Sequence, residues 1–218
     1  MGKIRMDLEA ALKNDPAAKS KLEIILTYAG FHAVLGYRIA HFVYTRLKLR
    51  LLARIISQIT RLFTGIEIHP AAQIDGGLFI DHGSGVVIGE TTEIGKNCTL
   101  YQGVTLGGTG KDKGKRHPTL QDNVMVSAGA KVLGPINIGE GSKIGACSVV
   151  LINVPSNSTV VGIPGRIVRR YGKKTNELDQ TFPDPLLEEF ARLSTEIECL
   201  YNRIELLENK GKDNAKTL

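Results

Sequence analysis

Two of the five histidines stand beside charged neighbours in stretches rich in glycine or basic residues. His82 follows Asp81 and precedes Gly83-Ser84-Gly85, while His117 follows Lys115-Arg116 and precedes Pro118. Histidine titrates near neutral pH, so it can take the proton of a hydroxyl that attacks an acyl carbonyl. A carboxylate on its other ring nitrogen would fix the tautomer and stabilise the imidazolium. Asp81 and Glu67, the latter just ahead of His69-Pro70, supply carboxylates nearby in sequence. Arg116 supplies a lasting positive charge for an anionic group. His32 and His41 lie among apolar residues and read as structural, as does His69 in its Ile-His-Pro setting.

The elements that must position these residues are written in a six-residue period. Apolar anchors recur at Ile68, Ile74 and Ile80, then at Ile88, Ile94, Leu100 and Leu106. The series resumes with Leu120, Val126, Val132, Ile138, Ile144 and Val150. Four positions after many anchors stands a small or branched residue: Ala72, Thr92, Cys98, Val104, Ala130, Ser142, Ser148. This period fits neither an amphipathic helix nor an alternating strand; it predicts a parallel β-helix of about 18 residues per three-sided coil. Two interruptions break it, a two-residue slip at Asp81 to Gly85 and a longer excursion over 107–118. A regular solenoid needs neither, and loops on rigid scaffolds are where function gathers. Glu67 and His82 should fall within one coil of each other.

Three regions follow: helical residues 1–64, the solenoid over 65–170 with its extruded loop at 107–118, and a linker and helix over 171–218. Asp15-Pro16 and Asp184-Pro185 read as helix starts. After the second, Leu186, Phe190, Leu193, Ile197, Leu200, Ile204 and Leu207 form a heptad seam that predicts an amphipathic helix packing on another helix. Residues 26–63 mix Arg and Lys with Leu, Ile and Phe, and read as helices packing on each other rather than on a membrane.

The net charge is +6 with a pI near 9.2, a balance open to nucleic acid, an anionic membrane or a small polyanionic ligand; it is spread over several places with no run long enough for a disordered basic tail, and neither nucleic acid nor membrane is expected as a partner. Cys98, Cys147 and Cys199 show neither disulfide nor zinc-site spacing. With no signal-like or membrane-spanning run, the expected location is cytoplasmic.

The combined motifs resemble the serine acetyltransferase family of hexapeptide acyltransferases. They are Glu67-Ile68-His69-Pro70, Ile80-Asp81-His82-Gly83, Gly89-Glu90-Thr91, Gln102 to Gly110, Arg116-His117-Pro118, Ser127 to Gly134 and Val161 to Arg166. The resemblance implies a left-handed β-helix and acetyl transfer from acetyl-CoA to L-serine, the first step of cysteine biosynthesis, without a metal. It implies His82 as base, Glu67 as its partner, Asp81 on the serine ammonium, Arg116 on the carboxylate and His117 lining the pocket. Gly108, Thr109, Ala128, Lys143 and Ala146 would line the CoA groove. It further implies a homotrimer with sites between subunits, pairing of trimers through the N-terminal helices, and feedback inhibition by L-cysteine. Longer members carry another acidic serine contact, and counting back from Gly30-Phe31-His32 puts Lys19 at its position. The family's O-acetylserine sulfhydrylase partner recognises a tail commonly ending in Ile; this chain ends Lys216-Thr217-Leu218, so that partner does not carry over cleanly. The rival readings are a hexapeptide acyltransferase for sugar or antibiotic hydroxyls, and a zinc hydratase using His69, His82 and His117.

Overall fold

The computed structural model describes residues 2–110, 113–171, 173–174 and 192–204. The chain opens with four helices: α1 (Lys3–Asn14), α2 (Lys21–Thr27), α3 (Ala29–Thr45) and α4 (Arg50–Thr64). Asp15-Pro16 does not start a helix, contrary to the sequence expectation. α2 begins instead after Ser20, whose Oγ accepts the Glu23 N–H at 3.2 Å, while Glu23 Oε2 accepts the Lys19 N–H at 2.9 Å. That reciprocal cap satisfies more orphan donors than Asp15 alone could.

Short parallel strands then wind into a three-sided solenoid. The first side stacks β1 (Glu67–Ile68), β4 (Val87–Ile88), β7 (Thr105–Gly107), β10 (Lys131–Leu133) and β13 (Val149–Val150). The second stacks β2 (Gln73–Ile74), β5 (Glu93–Ile94), β8 (Thr119–Leu120) and β11 (Asn137–Ile138). The third stacks β3 (Phe79–Ile80), β6 (Thr99–Leu100), β9 (Met125–Val126) and β12 (Lys143–Ile144), then β14 (Ser158–Val161). Beyond it β15 (Arg166–Arg170) and β16 (Lys173–Lys174) fold back antiparallel and close that end. Registers pair anchor with anchor, as in Ile68↔Ile88 and Leu100↔Val126. Every anchor predicted from Ile68 to Val150 is buried, none more than 4% exposed, and so is each small residue four positions on. The 107–118 excursion leaves between β7 and β8 without breaking the pairing of Glu93 with Thr119.

A buried ion pair helps to fasten the helices to the solenoid, beside the Tyr37 and Ser57 hydroxyls that donate to the carbonyls of Ala72 and Ile68. Asp7 of α1, 2% exposed, pairs with Arg38 of α3, whose Nη2 lies 3.1 Å from Asp7 Oδ1. The same carboxylate oxygen accepts the N–H groups of Gly77 and Leu78, and Arg38 also donates to the carbonyl of Ile74. At Gly30, near the start of α3, a Cβ would lie 2.0 Å from the carbonyl oxygen of Ile80, so only glycine lets that helix approach β3 so closely. Helices and solenoid form one compact unit. In the separate C-terminal unit a helix, α5, runs over 192–204 and exposes Leu193, Ile197, Leu200 and Ile204 at heptad spacing. Asp184-Pro185, Leu186, Phe190 and Leu207 lie outside the described residues.

Asp7→Ala should lower folding stability by about 3 kcal/mol, because it leaves a mostly buried guanidinium without its carboxylate. Chemical denaturation followed by circular dichroism measures it, and an unchanged midpoint would show that the pair does not fasten the helices.

Candidate active site

The polar residues singled out above collect at two corners of the triangular coil. The first corner joins the third side to the first, and His82 occupies its turn after β3. His82 has φ +57, a left-handed conformation uncommon outside glycine, and its side chain is 76% exposed. Its Nε2 lies 4.0 Å from Asp81 Oδ1. Glu67 lies one coil below, where its N–H donates to the carbonyl of Val86. Its carboxylate is held by Arg61 Nη1 at 2.9 Å and makes no hydrogen bond with His82 in this subunit.

The N-terminal helices bring a third acid to this corner. Asp15 Oδ2 accepts the Tyr28 hydroxyl at 2.6 Å, and Asp15 Oδ1 accepts the Ala17 N–H at 2.8 Å. The Tyr28 bond foremost, then the Ala17 bond, holds the Asp15 carboxyl below the usual range, and the nearby His82 adds a small pull the same way. The same bond pushes the Tyr28 phenol up to about 12, with Asp81 contributing slightly. Asp15, Tyr28, Asp81 and His82 are therefore electrostatic neighbours. Lys19 is exposed and outside this group; the acid that the region delivers is Asp15. Sequence reasoning missed this because Asp-Pro carries the signature of a helix start.

The second corner joins the first side to the second. Here the end of the extruded loop lies across the turn Gly89-Glu90-Thr91. Arg116 Nη2 pairs with Glu90 Oε2 and holds the Glu90 carboxyl below its ordinary range. Lys115 Nζ donates to the Thr91 carbonyl at 2.8 Å and to Glu93 at 3.0 Å. His117 is buried, and a Cβ on Gly89 would sit 2.0 Å from its ring, so the turn leaves just enough room for imidazole. Burial first, then the Arg116 charge, lowers the His117 pKa. His69 shares the corner; burial, then the Arg54 charge, lowers its pKa too. The three histidines of the zinc reading are thus divided, His69 and His117 at one corner and His82 at the other.

The expected CoA residues divide likewise. Gly108 and Thr109 leave the end of β7 at the second corner, both exposed. Ala128 and Ala146 stack in one column at the first corner, where the Cys147 N–H donates to the Ala128 carbonyl, and Lys143 stands exposed on β12.

This arrangement has known counterparts. The bacterial transferase hexapeptide model matches residues 117–151, and the N-terminal serine acetyltransferase model matches residues 1–35. The serine acetyltransferase of Bacillus pumilus is 57% identical over 97% of this chain and 98% of its own length. The chain belongs to the serine acetyltransferase family. Its solenoid is accordingly the left-handed β-helix. Among solved structures, serine acetyltransferase of Neisseria gonorrhoeae in complex with serine is 41% identical with a TM-score of 0.72, covering 75% of this chain and 67% of that one. A serine acetyltransferase complex with cysteine is 43% identical, TM-score 0.75, with coverages of 76% and 68%. The Brucella abortus enzyme in complex with coenzyme A is 42% identical, TM-score 0.75, with coverages of 77% and 67%.

Tyr28→Phe should raise the Asp15 pKa, because it removes the strongest hydrogen bond to the ionised form. Carboxyl-carbon NMR titration of wild type and variant checks this, and an Asp15 pKa that does not rise would break the link between the two residues.

Proposed function

We propose that this chain transfers the acetyl group of acetyl-CoA to the hydroxyl of L-serine, at sites completed by neighbouring copies in a homotrimer. The observation that carries this reading is the division of the family's motif residues between two corner columns of the solenoid. Apposing the first corner of one subunit to the second corner of its neighbour would unite a base, two acids and two cationic or donor groups around one small substrate.

In that pocket, His82 takes the proton as the serine oxygen bonds to the acetyl carbon. The carbon–sulfur bond then breaks, and the histidine returns the proton to the departing thiolate. The exposure of His82 in the single subunit suits a group that a neighbour would cover. Asp81 and Asp15 face the serine ammonium, and Arg116 and His117 face its carboxylate. For Glu67 to orient the His82 ring its carboxylate would have to turn from Arg61, which holds it at 2.9 Å in the single subunit, toward the imidazole. Gly108 and Thr109 of one subunit, with Ala128, Lys143 and Ala146 of the next, would border the groove for the pantetheine arm. The small or absent side chains of Gly108, Ala128 and Ala146 would leave backbone amides open to it, and Lys143 would add a positive charge.

L-Cysteine, which a relative holds in its solved complex, differs from serine by sulfur for oxygen and should occupy the same contacts as a feedback inhibitor. Apolar residues exposed on α2 and α4, including Leu22, Leu26, Leu62 and Phe63, offer a surface through which trimers could pair. The tail that a sulfhydrylase would read lies outside the described residues. The described cysteines are free, and no helix among the described residues is long and apolar enough to cross a membrane; both suit a cytoplasmic enzyme.

Thiol release from acetyl-CoA should occur with L-serine and far less with sugars or antibiotic hydroxyls; a preference for a sugar would overturn the substrate assignment. His82→Ala should lower turnover roughly 10²–10⁴-fold, and Glu67→Gln less. Arg116→Ala should chiefly raise the serine KM. Co-expressing His82→Ala with Arg116→Ala chains should restore activity, since some mixed interfaces pair an intact first corner with an intact second. Failure to complement, with mixed trimers present, would place each site within one subunit. Cysteine should inhibit competitively with serine, and inhibition that serine cannot relieve would argue for a separate pocket.

A further inference from the structure

Thr91 has no role in the reaction as described, yet every polar group it owns is engaged by the segment Lys115-Arg116-His117. Its carbonyl accepts the Lys115 ammonium at 2.8 Å. Its Oγ1 accepts the backbone N–H of Arg116 at 3.0 Å and that of His117 at 3.1 Å. Its own N–H donates to His117 Nδ1 at 3.2 Å, and its Oγ1 lies 2.9 Å from the same nitrogen.

These contacts leave little freedom in the proton positions. A backbone N–H can only donate, so His117 Nδ1 accepts. A hydroxyl has two lone pairs and one hydrogen. The two incoming N–H groups use the lone pairs, so the hydroxyl hydrogen also points at Nδ1. The neutral ring must then carry its proton on Nε2. Burial and the Arg116 charge, which disfavour the imidazolium, act in the same direction.

We infer that Thr91 is a positioning residue that docks the Arg116–His117 segment and locks His117 as a neutral Nε2–H donor toward an anionic oxygen of the bound substrate. This rests on the reading of Arg116 and His117 as substrate-binding groups. It also separates the two histidines by duty. A ring fixed with Nε2 protonated and Nδ1 occupied has no free lone pair for a serine hydroxyl, which leaves the base role to His82.

The test combines a spectrum with kinetics on the full-length protein. Imidazole-nitrogen NMR on histidine-labelled wild type at neutral pH should show His117, assigned by its loss in His117→Asn, as a single Nε2–H tautomer. Thr91→Val keeps the branched shape and removes the hydroxyl. It should give a mixture of tautomers and raise the serine KM roughly ten- to a hundredfold, while the acetyl-CoA KM changes about twofold or less. Thr91→Ser should restore both readouts. A wild-type His117 protonated on Nδ1, or a folded Thr91→Val protein with unchanged tautomer and unchanged serine KM, would overturn the inference. Should Thr91→Val not fold, the wild-type spectrum still decides the tautomer and Gly89→Ala, which crowds the ring, should raise the serine KM in its place; an unchanged KM there would also count against the inference. Absence of serine acetylation by wild type would defeat the proposed function and leave the tautomer result standing by itself.

Discussion

The hydrogen-bond ladder between successive coils governs the rest of this molecule. Each two-residue strand is too short to be stable alone and takes its partners from the coils above and below. Ile68 must meet Ile88, and Leu106 must meet Val132, or an entire side loses its pairing. The strands can therefore accept no extra residue. Additional chain has to leave at a corner, as it does after Ile80 and after Leu106. Functional groups gather at corners because that is where the ladder permits departure from the repeat.

The two corners are furnished by different physics. At the second, the Gly89-Glu90-Thr91 turn acts as a receptor for the returning loop. Glu90 holds Arg116 by charge, Thr91 holds the backbone and ring by hydrogen bonds, and Gly89 leaves room for the imidazole. The excursion thereby presents its last residues from a rigid surface, the condition for precise substrate placement. At the first corner, His82 is set outward by a left-handed backbone conformation, and the helices supply what the solenoid lacks. The Asp7–Arg38 pair and the close approach at Gly30 fix the helices against β3, which carries Asp15 and Tyr28 to Asp81 and His82.

The distribution of charge follows from this division. The first corner sets Asp15 and Asp81 near a histidine, and the second sets Arg116, paired with Glu90, beside another. A zwitterionic amino acid is suited to a space bounded by both. In the proposed trimer, a neighbouring subunit would bring Asp15 and Asp81 of the first corner together with Arg116 of the second.

The sequence by itself determined the solenoid. Its six-residue period placed every anchor from Ile68 to Val150 in the core and located both interruptions, because a repeated local unit stacked on itself leaves a periodic trace. The motif order likewise pointed to His82, Asp81, Arg116 and His117, and to the family. Where those residues stand relative to one another was decided only by the tertiary structure. The sequence expectation joined Glu67 to His82, whereas in this subunit the carboxylate meets Arg61, a residue on a helix whose path no period describes. Asp15 read as a helix start and Lys19 as the position of the missing acid. Only the packing of α1 and α3 on β3 brings Asp15 beneath the Tyr28 hydroxyl and toward His82. Thr91 stood in one of the family's motifs without an assigned role, since its importance lies in contacts with residues about 25 positions away. Spacing along the chain records local repetition, whereas contacts across a loop or between a helix and a coil depend on three-dimensional closure that no periodicity encodes.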